Sequence, residues 1–176
     1  PSLVERFGLF TIIVLGEVIV GTVGGISGKH HLNWQIGWTG ALGTFIAIAL
    51  WWIYFDFISH RLPHQDMVQV SGWFYLHLPL TMGIVVIGAV ILNVIEHAGE
   101  ILPTNIRWLL AGAVAIALVS IAFLMRTIQV PDKYEKYYRR GSMISVISSV
   151  LVFLLGFSSL TTIQLLIAII FLLLAL

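Results

Sequence analysis

Cysteine is absent from all 176 residues, which excludes disulfide frameworks, thiolate metal sites and thiol catalysis. Charge is scarce as well. Asp, Glu, Lys and Arg make up 10% of the chain, against about 25% in soluble domains, so a water-soluble globule is excluded. The formal net charge is +1 and no long basic face occurs, which argues against a nucleic-acid partner. No G-x-G-x-x-G, phosphate-loop, H-E-x-x-H or G-x-S-x-G motif is present, so no cofactor and no enzymatic activity are assigned. The first apolar run lacks the short core and small-residue cleavage site of a secretory signal. What the chain does have is apolar residues, 59% of the total, with a mean hydropathy of +1.02. That composition predicts an all-α polytopic transmembrane helix bundle embedded in a lipid bilayer. The chain opens at Pro1 and stops inside an apolar run at Leu176, and reads as a fragment of a longer membrane protein.

Six stretches meet the length expected of spanning helices, at about 7–23, 36–57, 67–95, 108–125, 143–157 and 160–176. Gly37, Gly40, Ala41, Gly43 and Thr44 crowd the first half of the second span, a pattern that allows close helix contact. Trp51, Trp52 and Tyr54 near its far end are placed for an interfacial aromatic belt. The third span holds His77 and then Pro79, which removes a helical hydrogen bond and predicts a bend. The fourth is uncharged and reads as scaffold. Residues 126–140 form the one strongly polar stretch and read as a loop. The last two segments are short, leaving a tilted or re-entrant hairpin open. Ser142, Ser145, Ser148 and Ser149 give the fifth segment a face able to hydrogen-bond a neighbour.

Lys and Arg set the orientation. With the 126–140 stretch in the cytoplasm, Arg6, Arg61, Arg126, Lys133, Lys136, Arg139 and Arg140 share that side, and only Lys29 and Arg107 of the nine basic residues lie opposite. The expected arrangement is multi-pass, with the N-terminus of the chain cytoplasmic.

Glu17 is the residue that asks for an explanation. It lies ten residues into its span, about 15 Å deep in a ~30 Å hydrocarbon core. A carboxylate there costs at least ~2.5 kcal/mol unless it is protonated, paired or wetted. His77 falls at a similar estimated depth in the third span, so Glu17 and His77 are the candidate proton or ion-pathway residues. The competing reading of Glu17 is a carboxyl that locks two helices together, and that of His77 a cap on carbonyls freed by Pro79. Asp56 falls near the cytoplasmic end with Glu5, Arg6 and Arg61, a group read as interface salt bridges or a gate. Gly8, Gly16 and Gly21 read as packing positions. His30-His31 and His60-x-x-x-His64 lie in loops without a zinc-type ligand set, so no metal is assigned.

Three ordered motifs also carry a resemblance. Glu5-Arg6-Phe7-Gly8-Leu9-Phe10-Thr11-Ile12-Ile13-Val14-Leu15-Gly16-Glu17, Trp51-Trp52-Ile53-Tyr54-Phe55-Asp56, and Tyr75-Leu76-His77-Leu78-Pro79 followed by Gly83 and Gly88 resemble the signatures of the bacterial low temperature requirement A family. The motifs cover about residues 3 to 90. The resemblance implies that this chain is the C-terminal half of a protein about twice as long, whose N-terminal half carries a related Glu-x-Phe-Phe-Asp-type motif absent here. If the halves are repeats, a site would form at their interface, half of it in the missing N-terminal half. The family name records a growth phenotype in the cold rather than a reaction.

Three functional readings follow. The first is a transporter or ion-conducting protein using Glu17 and His77. The second is a structural or lipid-adapting membrane protein without turnover. The third is an intramembrane metal-dependent hydrolase built on His77, Glu17 and Asp56. A homo-oligomer is compatible with each.

Overall fold

With no water in a bilayer core, a backbone must satisfy its own hydrogen bonds, and this chain does so as helices. The computed structural model describes residues 3–28, 31, 33–59 and 61–176. Its order is α1 (Leu3–Ser27), α2 (Trp34–Phe57), α3 (Met67–Glu96), α4 (Thr104–Thr127), α5 (Asp132–Leu154), a 3-10 turn (Leu155–Phe157) and α6 (Thr162–Leu174). The all-α bundle expected from composition is therefore what forms. Five of the helices, α5 being counted with its 3-10 turn, are long and apolar enough to cross a membrane. With 13 residues, α6 is about 20 Å long and falls short of a ~30 Å core. Lys29, His30 and His60, invoked above for orientation and for metal binding, lie outside the described residues.

The main correction is at the polar stretch. Residues 132–140 are not a loop but the opening turns of α5, which starts about eleven residues before its apolar run. Pro131 precedes this helix, and Asp132 and Glu135 in its first turn complement the positive end of the helix dipole. The fifth segment, with its 3-10 turn, is thereby long enough to cross a membrane.

In the packing, α3 lies between α1 and α4, α5 covers another side of α4, and α2 bridges α1 to α6. The α1–α3 contact is backbone on backbone. A Cβ on Gly21 would fall on the Gly88 carbonyl oxygen, and one on Gly25 would stand 2.8 Å from Ile95 Cδ1. Gly40 and Gly43 of α2 do the same for Ile26 and Ile91. Gly16 departs from the expected packing role, because its Cβ position is open for 4 Å around. Between α4 and α5 the contact is polar: Ser142, Ser145 and Ser149 donate to the carbonyl oxygens of Ala122, Leu118 and Ala115 at 2.8, 2.9 and 3.0 Å. Bonds of this kind within a membrane contribute about 0.6 kcal/mol each.

Each end of the bundle is tied. At the end rich in Lys and Arg, here the basic end, the connections pair through His64 N to Thr127 O at 2.9 Å and Gln129 N to Leu62 O at 2.8 Å. At the opposite end, Thr162 N donates to Glu100 O at 2.7 Å, and Arg107 Nε donates to Gly156 O at 2.9 Å.

Candidate functional site

Glu17 sits in the middle of α1, and the α1–α3 crossing is built around its backbone. Gly88 of α3 has no side chain, so the two helices close until a Cβ on Gly88 would be 3.1 Å from Glu17 Cβ. The side chain itself is exposed, directed out of the bundle. Among the described residues it has no hydrogen-bond or ion-pair partner. It shares this outer surface with Ile13 and Val20 of α1 and Val85 and Leu92 of α3, all exposed. A carboxyl is thus presented halfway along α1 on an otherwise apolar face.

His77 occupies a different place. It is 1% exposed, and its Nδ1 lies 2.7 Å from the Trp73 carbonyl oxygen while its Nε2 lies 3.1 Å from the Tyr54 hydroxyl. A carbonyl can only accept, so Nδ1 carries hydrogen, and in the neutral ring Nε2 accepts from Tyr54. The Thr11 hydroxyl is spent within α1, donating to the Phe7 carbonyl at 2.8 Å. Tyr54 and His77 therefore join α2 and α3 through a buried polar node. The rings of Phe7 and Trp73 close over His77 at centroid distances of 4.6 and 4.4 Å. Helix α3 continues through Pro79, and Thr81 Oγ1 donates to the His77 carbonyl at 2.8 Å.

The structure does not bring Glu17 and His77 together. Phe7 is the α1 residue level with His77, whereas Glu17 is level with Gly88. Eleven residues of α3 separate the two levels, about 16 Å along the axis. The estimate of equal depth fails because α3 runs 30 residues and overshoots the start of α1 at the basic end. Nor does Asp56 join either of them. It is exposed near the C-terminus of α2, within electrostatic reach of Tyr137. Glu5 and Arg6 are exposed in the first turns of α1, and half-buried Arg61 places its guanidinium carbon 5.8 Å from the centre of the Tyr138 ring. Among the described residues Asp56 forms no ion pair with Arg6 or Arg61, and no three His, Asp or Glu side chains gather as a metal-binding group.

Tyr54 is the residue that sequence reasoning misplaces. Read as part of an aromatic belt with Trp51 and Trp52, it is instead 2% exposed, while those two tryptophans are exposed. A signal for this exists in the sequence: Ile46, Leu50, Ile53, Tyr54 and Phe57 fall on one face of α2, and that face is the buried one.

A family model described as Bacterial low temperature requirement A protein (LtrA) matches residues 1–176, so the match extends past the three motifs to the last helix. No curated protein and no solved structure matches the chain.

Proposed function

Because the chain belongs to the bacterial low temperature requirement A family and is an integral, multi-pass membrane protein, we propose that it is an ion- or proton-conducting transporter in which Glu17 is the working carboxylate. The single observation that carries this reading is the exposed Glu17 carboxyl halfway along α1, on an apolar face and without a partner among the described residues. Ionisable groups within membrane spans mark ion pathways by default, because leaving one in hydrocarbon is costly. The pathway then runs along the outer surface of α1 and α3, between this bundle and a second element, either another copy of the chain or the other half of the protein. His77 enters as the residue that keeps α1, α2 and α3 in register, and not as a second proton site beside Glu17. In this reading the protein carries out no covalent chemistry. The excess of Lys and Arg at one end supports an inner-membrane orientation with the start of α1 cytoplasmic.

The test is proton and cation flux in liposomes holding the full-length protein, wild type beside Glu17→Gln, across about pH 5.5 to 8. Flux that depends on pH and disappears in Glu17→Gln, at equal folded amount, is the expected result. Absence of flux from both proteins would favour the structural reading, which the sealed His77–Tyr54 node also supports.

A further inference from the structure

Trp108, Gly112, Ala115, Val119, Phe123 and Arg126 of α4 recur at intervals of three or four residues and so line one side of the helix. Gly112 leaves a gap in that side, with nothing within 4 Å of where its Cβ would stand. Pro79 of α3 borders the same gap. The result is a pair of overlapping cavities of about 320 and 500 Å³ that share Pro79, Gly112 and Ile116 and are walled almost wholly by apolar side chains. Gly112 to Phe123 is eleven residues, about 16 Å, which is half the thickness of a hydrocarbon core.

Arg126 closes the groove at the basic end. Its guanidinium carbon lies 5.5 Å from the centre of the Phe123 ring, and its Nε donates to Ser142 Oγ at 3.0 Å. The two terminal nitrogens have no partner among the described residues. Arg107, at the other end of α4, differs: it is held by the Gly156 and Leu102 carbonyls. Beside Arg126 opens a pocket of about 590 Å³ whose charged lining is Arg126, Arg139, Asp132 and Glu135, together with His64. Two guanidinium groups and two carboxylates cancel, so this mouth suits a headgroup carrying both signs better than a purely anionic one.

We propose that this groove is a binding site for one phospholipid with an aminoalkyl headgroup. Its acyl chain lies along α4 over Gly112, and its phosphate accepts hydrogen bonds from the free nitrogens of Arg126. Its ammonium group lies near Asp132 and Glu135. Each part follows from the chemistry of the wall. An apolar cleft one leaflet long takes a hydrocarbon chain, a planar guanidinium at its mouth takes phosphate, and flanking carboxylates take the amine. The site is independent of the role proposed for Glu17, which lies on α1.

The experiment is native mass spectrometry of the full-length protein released from nanodiscs containing equal phosphatidylethanolamine and phosphatidylglycerol. Wild type is expected to retain one phosphatidylethanolamine. Gly112→Leu projects a side chain into the groove from a position whose Cβ would meet nothing within 4 Å, and Ile116→Trp, one turn further along α4 at a position 50% exposed, adds bulk to the same groove. Both are expected to lose the retained lipid while the helical circular dichroism is unchanged. Arg126→Gln, which removes a charge-assisted bond to phosphate, should lower retention about tenfold. Wild-type retention in both groove-filling variants would overturn the site. Equal retention of the two lipids by wild type would overturn the headgroup assignment.

Discussion

The backbone of Glu17 rests directly on Gly88: a Cβ added to Gly88 would stand 2.9 Å from the Glu17 carbonyl carbon and 3.0 Å from its oxygen. This contact sets the register between α1 and α3. It aims the Glu17 side chain outward and leaves Phe7, rather than Glu17, opposite His77.

Gly88→Ala should therefore destabilise the bundle by about 1–3 kcal/mol, the usual cost of overpacking where neither backbone can yield. Gly16→Ala, one residue from Glu17 but facing open space, should be neutral or slightly stabilising, since alanine favours helix by up to ~1 kcal/mol. Thermal melts of the two variants in the same detergent check the contrast. Equal melting temperatures would show that the helices do not meet at Gly88.

Tyr54→Phe removes the hydroxyl facing His77 Nε2 and leaves a buried acceptor unsatisfied, a loss of about 1–3 kcal/mol. Combining it with His77→Phe should cost less than the sum of the two single changes, because their effects run through one shared bond. A double-mutant cycle of unfolding free energies measures this directly. Strict additivity would remove the node.

Glu17→Gln and Glu17→Leu should both retain the wild-type stability of the isolated bundle to within about 0.5 kcal/mol, as exposed substitutions do. If Glu17 instead locks two helices of this chain, either change will lower the melt, and Glu17→Leu by more. This measurement is separate from flux, so the folding and conducting roles of the carboxyl are read independently.

Replacing Ser145 by alanine removes a bond to the Leu118 carbonyl and should cost about 0.6 kcal/mol. Changing Ser142, Ser145 and Ser149 together should cost roughly 2 kcal/mol by summation of such bonds. Val119 and Val146 are both half-buried beside this contact, so cross-linking of Val119→Cys to Val146→Cys follows the proximity of α4 to α5. The cross-link should form more slowly in the triple serine variant and at the unaltered rate in Ser145→Ala alone. An unaltered rate in the triple variant would show that the serines do not hold the two helices together.

Much of the bundle is legible in the sequence because the forces that make it are local. A run of about twenty apolar residues must close its own hydrogen bonds in lipid, whatever surrounds it. Spans two, three and four are therefore readable to within a few residues, as is the serine face of α5. Asp132–Arg140 reads as a loop because hydropathy reports where a chain prefers lipid and not where a helix begins. An amphipathic or polar opening turn looks like a loop to that measure.

Residue order alone thus dictates that this chain enters a membrane as helices, that one end is basic, and which few ionisable groups fall within its apolar runs. Which way those groups point, and what they meet, emerges only when the helices pack. Azimuth and axial offset between helices depend on side chains and glycines from both partners at once. Gly21 and Gly88 set the α1–α3 offset, and with it turn a supposed Glu17–His77 pair into an outward carboxyl and a buried His77–Tyr54 node.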